Sequence, residues 1–185
     1  MNIKPIETVY NGYRFRSRAE ARWAVFFDAV GIDYVYEPEG VILSDGTRYL
    51  PDFYLPKSDT WFEVKGVLTK TDLHKVEQLV ADTGKAAVIG YSDLSFQASE
   101  NWRDFFELTG KASSVLCKCH KCNQLWFMGI DGLWNCLCCG EYDGDHHFDV
   151  VMNGDSDLRW CSDETVINAF NKARQARFEH GEAPT

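Results

Sequence analysis

Nowhere in this 185-residue chain does an apolar run approach the length needed to cross a membrane, roughly 18 residues. The first residues, Met1-Asn2-Ile3-Lys4-Pro5-Ile6-Glu7, hold no apolar core of the kind a secretory signal requires. Both absences point to a cytoplasmic protein without a membrane partner. Positive charge is also scarce. With 19 Lys and Arg against 28 Asp and Glu, the formal net charge is -9, which excludes a protein that coats nucleic acid through a uniformly basic surface. No internal repeat and no low-complexity tract is present, which excludes solenoids and compositional linkers. Cysteine is missing from the whole first half of the chain, so any thiolate metal site has to lie in the second.

What is present suits a folded domain. Six Trp, eight Tyr and twelve Phe can supply a substantial core. After an irregular lead over residues 1–9, Ser17 with Glu20 three residues on has capping-box spacing. It opens a strongly apolar helix that ends near Gly31. Ile32 to Glu37 alternates as a strand stopped by Pro38, and Gly40 to Leu43 is a second strand. Ser44-Asp45-Gly46-Thr47 turns into a strand from Arg48 to Leu55, and Thr60 to Val64 forms the next. Thr71 to Ala81 has helical periodicity, Ala86 to Tyr91 fits a buried strand, and Asn101 to Leu108 a short helix. Strands interrupted by helices give a mixed α/β layer over residues 1–110.

Two segments of that layer carry chemistry. In Trp61-Phe62-Glu63-Val64-Lys65-Gly66, Glu63 and Lys65 fall on one face of the strand, roughly 6.6 Å apart. If Asp52 of Leu50-Pro51-Asp52-Phe53-Tyr54-Leu55 lies on the neighbouring strand, two carboxylates and one ammonium meet. Hard divalent cations take oxygen ligands, with water and phosphate completing the sphere. Such a cation polarises phosphate and activates water, and a lysine can stabilise developing negative charge. A surface ladder of ion pairs across the strands is the plain alternative.

Pro51-Asp52 followed by Glu63-Val64-Lys65 resembles the PD-(D/E)XK motif of the restriction-endonuclease-like nucleases, over about residues 10–92. The resemblance implies a restriction-endonuclease-like mixed sheet flanked by helices and a Mg²⁺-dependent endodeoxyribonuclease, with Mn²⁺ able to replace Mg²⁺. It implies Asp52, Glu63 and the backbone carbonyl of Val64 as metal ligands and Lys65 as the residue that orients or activates water. It also places Glu20 on the first helix as a helper of the metal, in competition with Glu20's use in the capping box. DNA is the implied substrate, with branched or recombination and repair structures as candidates. Arg14, Arg16, Arg18 and Arg22 surround the start of the first helix and can either contact nucleic acid or solvate a helix face.

Residues 111–185 have a different character. Six of the seven cysteines lie between Cys117 and Cys139, a pattern that in a reducing compartment points to metal rather than disulfides. Cys119-x₂-Cys122 and Cys136-x₂-Cys139 can close one Zn²⁺ site of four thiolates, structural because no coordination position stays open. The arrangement resembles a zinc ribbon over about residues 115–142, with a hairpin turning at Asp131-Gly132. Cys117 and Cys138 are left over, and either replaces a ligand if the register differs; His146 and His147 offer two more donors. The acidic stretch 141–160 reads as a solvated loop, Ser162-Asp163-Glu164-Thr165 as the cap of a helix to about Phe178, and Gly181 onward as a tail. Lys172, Arg174 and Arg177 of that helix either touch nucleic acid or face solvent. The zinc module can dock a protein partner or a second copy of the chain. A contrasting function follows from the net acidity: a non-catalytic module that binds nucleic acid or protein on a nuclease-like scaffold.

Overall fold

The computed structural model of the protein describes residues 5–99, 108–130, 135–142 and 148–178. The expected turn at Asp131-Gly132, most of the helix expected over 101–108, His146, His147 and the tail from Gly181 lie outside these residues.

The described chain is a mixed α/β structure with three α-helices and several small sheets. It begins with a hairpin, β1 (Thr8–Tyr10) and β2 (Tyr13–Phe15), where an irregular lead was expected. Asn11 and Gly12 both have positive φ, 47° and 81°, as a tight hairpin turn demands. Helix α1 (Arg18–Val30) starts at Ser17, whose hydroxyl accepts from the Glu20 N–H, and stops at Gly31 in the left-handed conformation.

The strand expected over Arg48–Leu55 is broken. After β3 (Val35–Tyr36), the pair β4 (Val41–Ile42) and β5 (Arg48–Tyr49) forms its own ribbon. The chain then leaves the ladder through Leu50-Pro51-Asp52 and enters β6 (Phe53–Leu55) in another sheet. Proline has no N–H for a ladder, so the break falls where the sequence cannot pair. β7 (Thr60–Lys65), α2 (Lys70–Thr83) and β8 (Ala86–Tyr91) make a strand–helix–strand crossover, and β9 (Phe96–Ala98) completes the sheet. Strand order is β3-β6-β7-β8-β9, with β7 and β8 parallel and the other neighbours antiparallel.

Each face of this sheet meets different helices. Phe62, Val64 and Val88 join the core that contains α1, while Trp61, Ala87, Ile89 and Tyr91 pack with Val76, Leu79 and Val80 of α2. Gly90 permits the close approach of α1: a Cβ there would lie 2.5 Å from the Phe62 ring and 2.6 Å from Trp23. Trp23 donates its indole N–H to the Tyr91 carbonyl at 3.0 Å, so the aromatic packs without an orphaned donor.

A second sheet follows, ordered β11-β10-β12 from β10 (Ser114–Cys119), β11 (Leu125–Gly129) and β12 (Phe148–Asn153). β12 lies within the stretch expected to be a solvated loop. Helix α3 (Glu164–Gln175), capped by Asp163, closes the described structure and ends three residues short of Phe178. Its buried stripe Val166, Ala169, Phe170 and Ala173 joins the same core as α1.

The Asp52, Glu63 and Lys65 site and the four-cysteine centre

Asp52 sits at the point where the β6–β7 ladder gives out, and it replaces the missing pairing with its side chain. Its Oδ2 accepts from the Val64 N–H at 2.8 Å, its own N–H donates to Glu63 Oε1 at 3.2 Å, and its carbonyl accepts from the Glu37 N–H at 2.9 Å. Glu63 points to the α2 face of β7, as the period-2 alternation requires. Its Oε2 accepts from Lys65 Nζ at 2.9 Å and from the Tyr49 hydroxyl at 2.6 Å. Lys65 Nζ lies 3.6 Å from Asp52 Oδ2. The sequence-derived trio therefore converges: two carboxylates, 6% and 1% exposed, with one ammonium between them.

Burial, followed by the proximity of Asp52, raises the Glu63 carboxyl above its ordinary value, and Lys65 and Tyr49 offset part of this. Burial works against the Lys65 ammonium, but Glu63 and Asp52 outweigh it and the balance is upward. Asp52 and Glu63 offer oxygen donors of the kind a hard divalent ion takes, and the hydrogen bonds fixing their orientation leave lone pairs unused.

Two further side chains reach the pair, and Tyr36 stands behind them, accepting from the Arg16 N–H at 3.0 Å. Arg16 donates from Nη2 to Asp52 Oδ1 at 2.7 Å and pairs through Nε with Glu37 Oε1 at 2.7 Å. Tyr49 reaches in from β5. Tyr36 donates to Glu20 Oε2 at 2.7 Å. Glu20 is buried, but it serves the helix start: Oε1 accepts from the Ser17 hydroxyl at 2.7 Å and Oε2 from the Arg16 N–H at 3.0 Å. It reaches Asp52 only through Arg16. Among the described residues it does not complete a three-carboxylate cluster with Asp52 and Glu63.

The basic residues divide. Arg14 is exposed and paired with Glu7, and Arg16 belongs to the Asp52 site. Arg18 and Arg22 turn to a separate cavity that Arg174 and Arg177 share. Tyr49 and Tyr36 carried no sequence signal, since each acts across strands that only the fold brings together.

The second centre is built by two turns of the same kind. The Cys119 N–H donates to the Gln124 carbonyl at 3.0 Å and the Asn123 N–H to the Cys119 carbonyl at 2.9 Å. In the other turn the Cys136 N–H donates to Glu141 at 2.7 Å and the Gly140 N–H to Cys136 at 2.7 Å. Asn123 and Gly140 occupy equivalent places at positive φ, 58° and 73°, residue types that tolerate it. Lys121 and Glu141 tie the turns together at 3.0 Å. The four Sγ atoms lie within 4.8 Å of one another, with Cys119–Cys139 at 3.7 Å and Cys122–Cys136 at 3.4 Å. Tetrahedral zinc with bonds of about 2.3 Å separates its sulfurs by roughly 3.8 Å, so the set can hold a structural metal such as zinc. Cys117 is buried in the sheet core and Cys138 is exposed; neither belongs to the group.

Among the described residues no helix is long and apolar enough to cross a membrane. Comparison with known proteins gives no matching family model and no matching curated protein.

Proposed function

We propose that the chain is a metal-dependent endonuclease of the restriction-endonuclease-like class that hydrolyses phosphodiester bonds in DNA. The observation that carries this reading is the convergence of Asp52, Glu63 and Lys65 in mutual contact, the two carboxylates buried, beside the central strand of a mixed sheet. Asp52 and Glu63, with the Val64 carbonyl, would hold Mg²⁺ or Mn²⁺, which supplies Lewis-acid stabilisation of phosphate when bound. The chain's own residues do the rest. Lys65, as an ammonium held by two carboxylates, lies where it stabilises negative charge growing on a phosphate oxygen. Arg16, half-exposed on Asp52, is long enough to turn from the carboxylate to a phosphate. Tyr49 holds the Glu63 carboxylate through the same Oε2 that Lys65 meets. Glu20 supports the site through the Arg16 backbone. A lone site of this kind cuts one strand, so paired cuts need a second copy. The four-cysteine centre is structural zinc in this reading.

One observation favours a binding module instead. The carboxylates are already neutralised by Arg16 and Lys65, as they would be in a scaffold that never takes up a cation. A panel of labelled single-stranded, duplex, nicked, flap and branched DNAs, with matching RNAs, separates the two. We expect cutting with Mg²⁺ or Mn²⁺, none in EDTA, and none by folded Lys65→Ala. Failure of zinc-loaded protein to cut any substrate, or undiminished cutting by Lys65→Ala, overturns the assignment.

A further inference from the structure

Helices α1 and α3 pack side by side, and a cavity of about 620 Å³ opens between the first turn of α1 and the end of α3. Arg18 and Arg22, one turn apart on α1, line it together with Arg174, Arg177 and Phe178. Among the described residues no carboxylate lines it. Among the described residues no carboxylate pairs with Arg22, Arg174 or Arg177, and the Arg22 Nε–H is buried without an acceptor. Arg174 rests on the Phe170 ring, and among the described residues it donates only two long hydrogen bonds of 3.4 Å, to the Asp93 carbonyl and the Ser156 hydroxyl. In a chain of net charge -9, the guanidiniums of Arg22, Arg174 and Arg177 around one space repel one another and attract an anion. The last turn of α3 explains Arg174, because a cation suits a helix C-terminus. Arg22 has no such reason, since it stands toward the positive end of α1.

We infer that this cavity holds a phosphate group of a nucleic-acid strand, flanking the phosphodiester presented to Asp52, Glu63 and Lys65. Its setting rests on the nuclease reading. Arg16, which holds Asp52, is only two residues from Arg18, roughly 7 Å of chain at most. A strand lying across the first turn of α1 therefore meets the carboxylate site and the arginine cavity in succession. Guanidinium forks match phosphate oxygens, and the cavity has room for more than a bare phosphate. Phe178 adds the aromatic surface on which an unpaired base stacks.

The test is strand binding, read by fluorescence anisotropy in EDTA so that no cleavage is needed. Labelled single strands are titrated at several salt concentrations against wild type, Arg177→Ala, Arg174→Ala/Arg177→Ala, and Lys172→Ala on the exposed side of α3 as control. We expect the slope of log affinity against log salt to shrink by about 0.7 for each cavity arginine removed, and Lys172→Ala to keep the wild-type slope. Arg177→Ala, which leaves the Arg174–Phe170 contact in place, keeps the test valid if the double variant folds poorly. An unchanged slope in Arg177→Ala and the double variant, or an equal fall in Lys172→Ala, overturns the inference. So does a double variant that loses thermal stabilisation by inorganic phosphate while binding strands as before. Unchanged binding with intact metal-dependent cutting removes the cavity and leaves the nuclease reading standing. A reduced slope in a protein that cuts nothing does the reverse.

Discussion

A carboxylate buried as deeply as Asp52 has to find partners for its oxygens, and Asp52 finds a main-chain N–H, a guanidinium and an ammonium. Glu63 is more dependent, because two of its three donors are side chains: Lys65 and Tyr49. Tyr49 is the one that sequence reasoning passed over. Removing its hydroxyl leaves a lone pair of a buried, charged oxygen unpaired, which costs about 1.5–3 kcal/mol. Tyr49→Phe is therefore expected to lower stability by that amount in urea unfolding. In the nuclease reading it also raises the Mg²⁺ concentration needed for half-maximal cutting, with less effect at saturation. Wild-type stability and metal dependence in Tyr49→Phe would show that the contact positions nothing. Glu63 and Lys65 were legible because period-2 alternation acts within a few residues of the chain, and Asp52 because Pro51-Asp52 precedes Glu63-Val64-Lys65 in the order of a recognisable motif. Tyr49 and Arg16 belong to no such motif, and their partners lie 14 and 36 residues away.

Among the elements, α3 is held at its start by one residue. The Asp163 carboxylate accepts from the N–H groups of Thr165 and Val166 and from Lys118 Nζ at 2.7 Å on β10. Lys118 first, then the capping N–H groups, hold the Asp163 carboxyl below its ordinary value against the opposing effect of burial. A depressed native value stabilises the fold above the unfolded carboxylate's pKa, about 3.9, and that contribution is lost as the pH falls through the native value. Asp163→Ala is expected to cost about 1–2 kcal/mol near neutral pH. The gap to wild type should close below about pH 4 when unfolding is followed across pH; a gap that persists in acid refutes the linkage. The helices were readable because caps and 3.6-residue stripes are local. The β1–β2 hairpin carried a readable signal in Asn11-Gly12. β12 carried none: its register against β10 shifts between Leu116 and Cys117, pairing Met152 and then Val150, and an extra residue there destroys the alternation that marks a strand.

At the scale of the whole molecule, composition shifts near residue 110, yet the packing continues across it. The main core takes Leu116, Leu125, Val151 and Met152 from the second sheet and Phe170 from α3 alongside Trp23, Phe53 and Phe62. Phe127 on β11 stands 5.3 Å from Phe62 on β7, ring to ring. The Gly154 carbonyl accepts from the Phe96 N–H at 2.7 Å, and a Cβ on Gly154 would lie 2.2 Å from the Lys111 carbonyl. Composition marks where residue chemistry changes; it does not register a shared core, which arises from side chains distant in sequence. The four-cysteine centre sits at the end of that second sheet, with Cys119 and Cys136 packed among Val115, Trp126, Met128 and Phe148. A metal that closes this end therefore supports strands whose other face completes the main core. Cys122→Ser is expected to lower bound zinc from one per chain toward none, whereas Cys138→Ser, outside the group, keeps it. Because the core is continuous, loss of zinc should lower the midpoint of one cooperative unfolding transition, by about 2–4 °C for each kcal/mol of metal-linked stability. Calorimetry of the zinc-loaded and chelated protein decides this. Two separate transitions, only one of them sensitive to the chelator, would mean that the zinc-bearing sheet is an independent module despite the side chains it shares with α1.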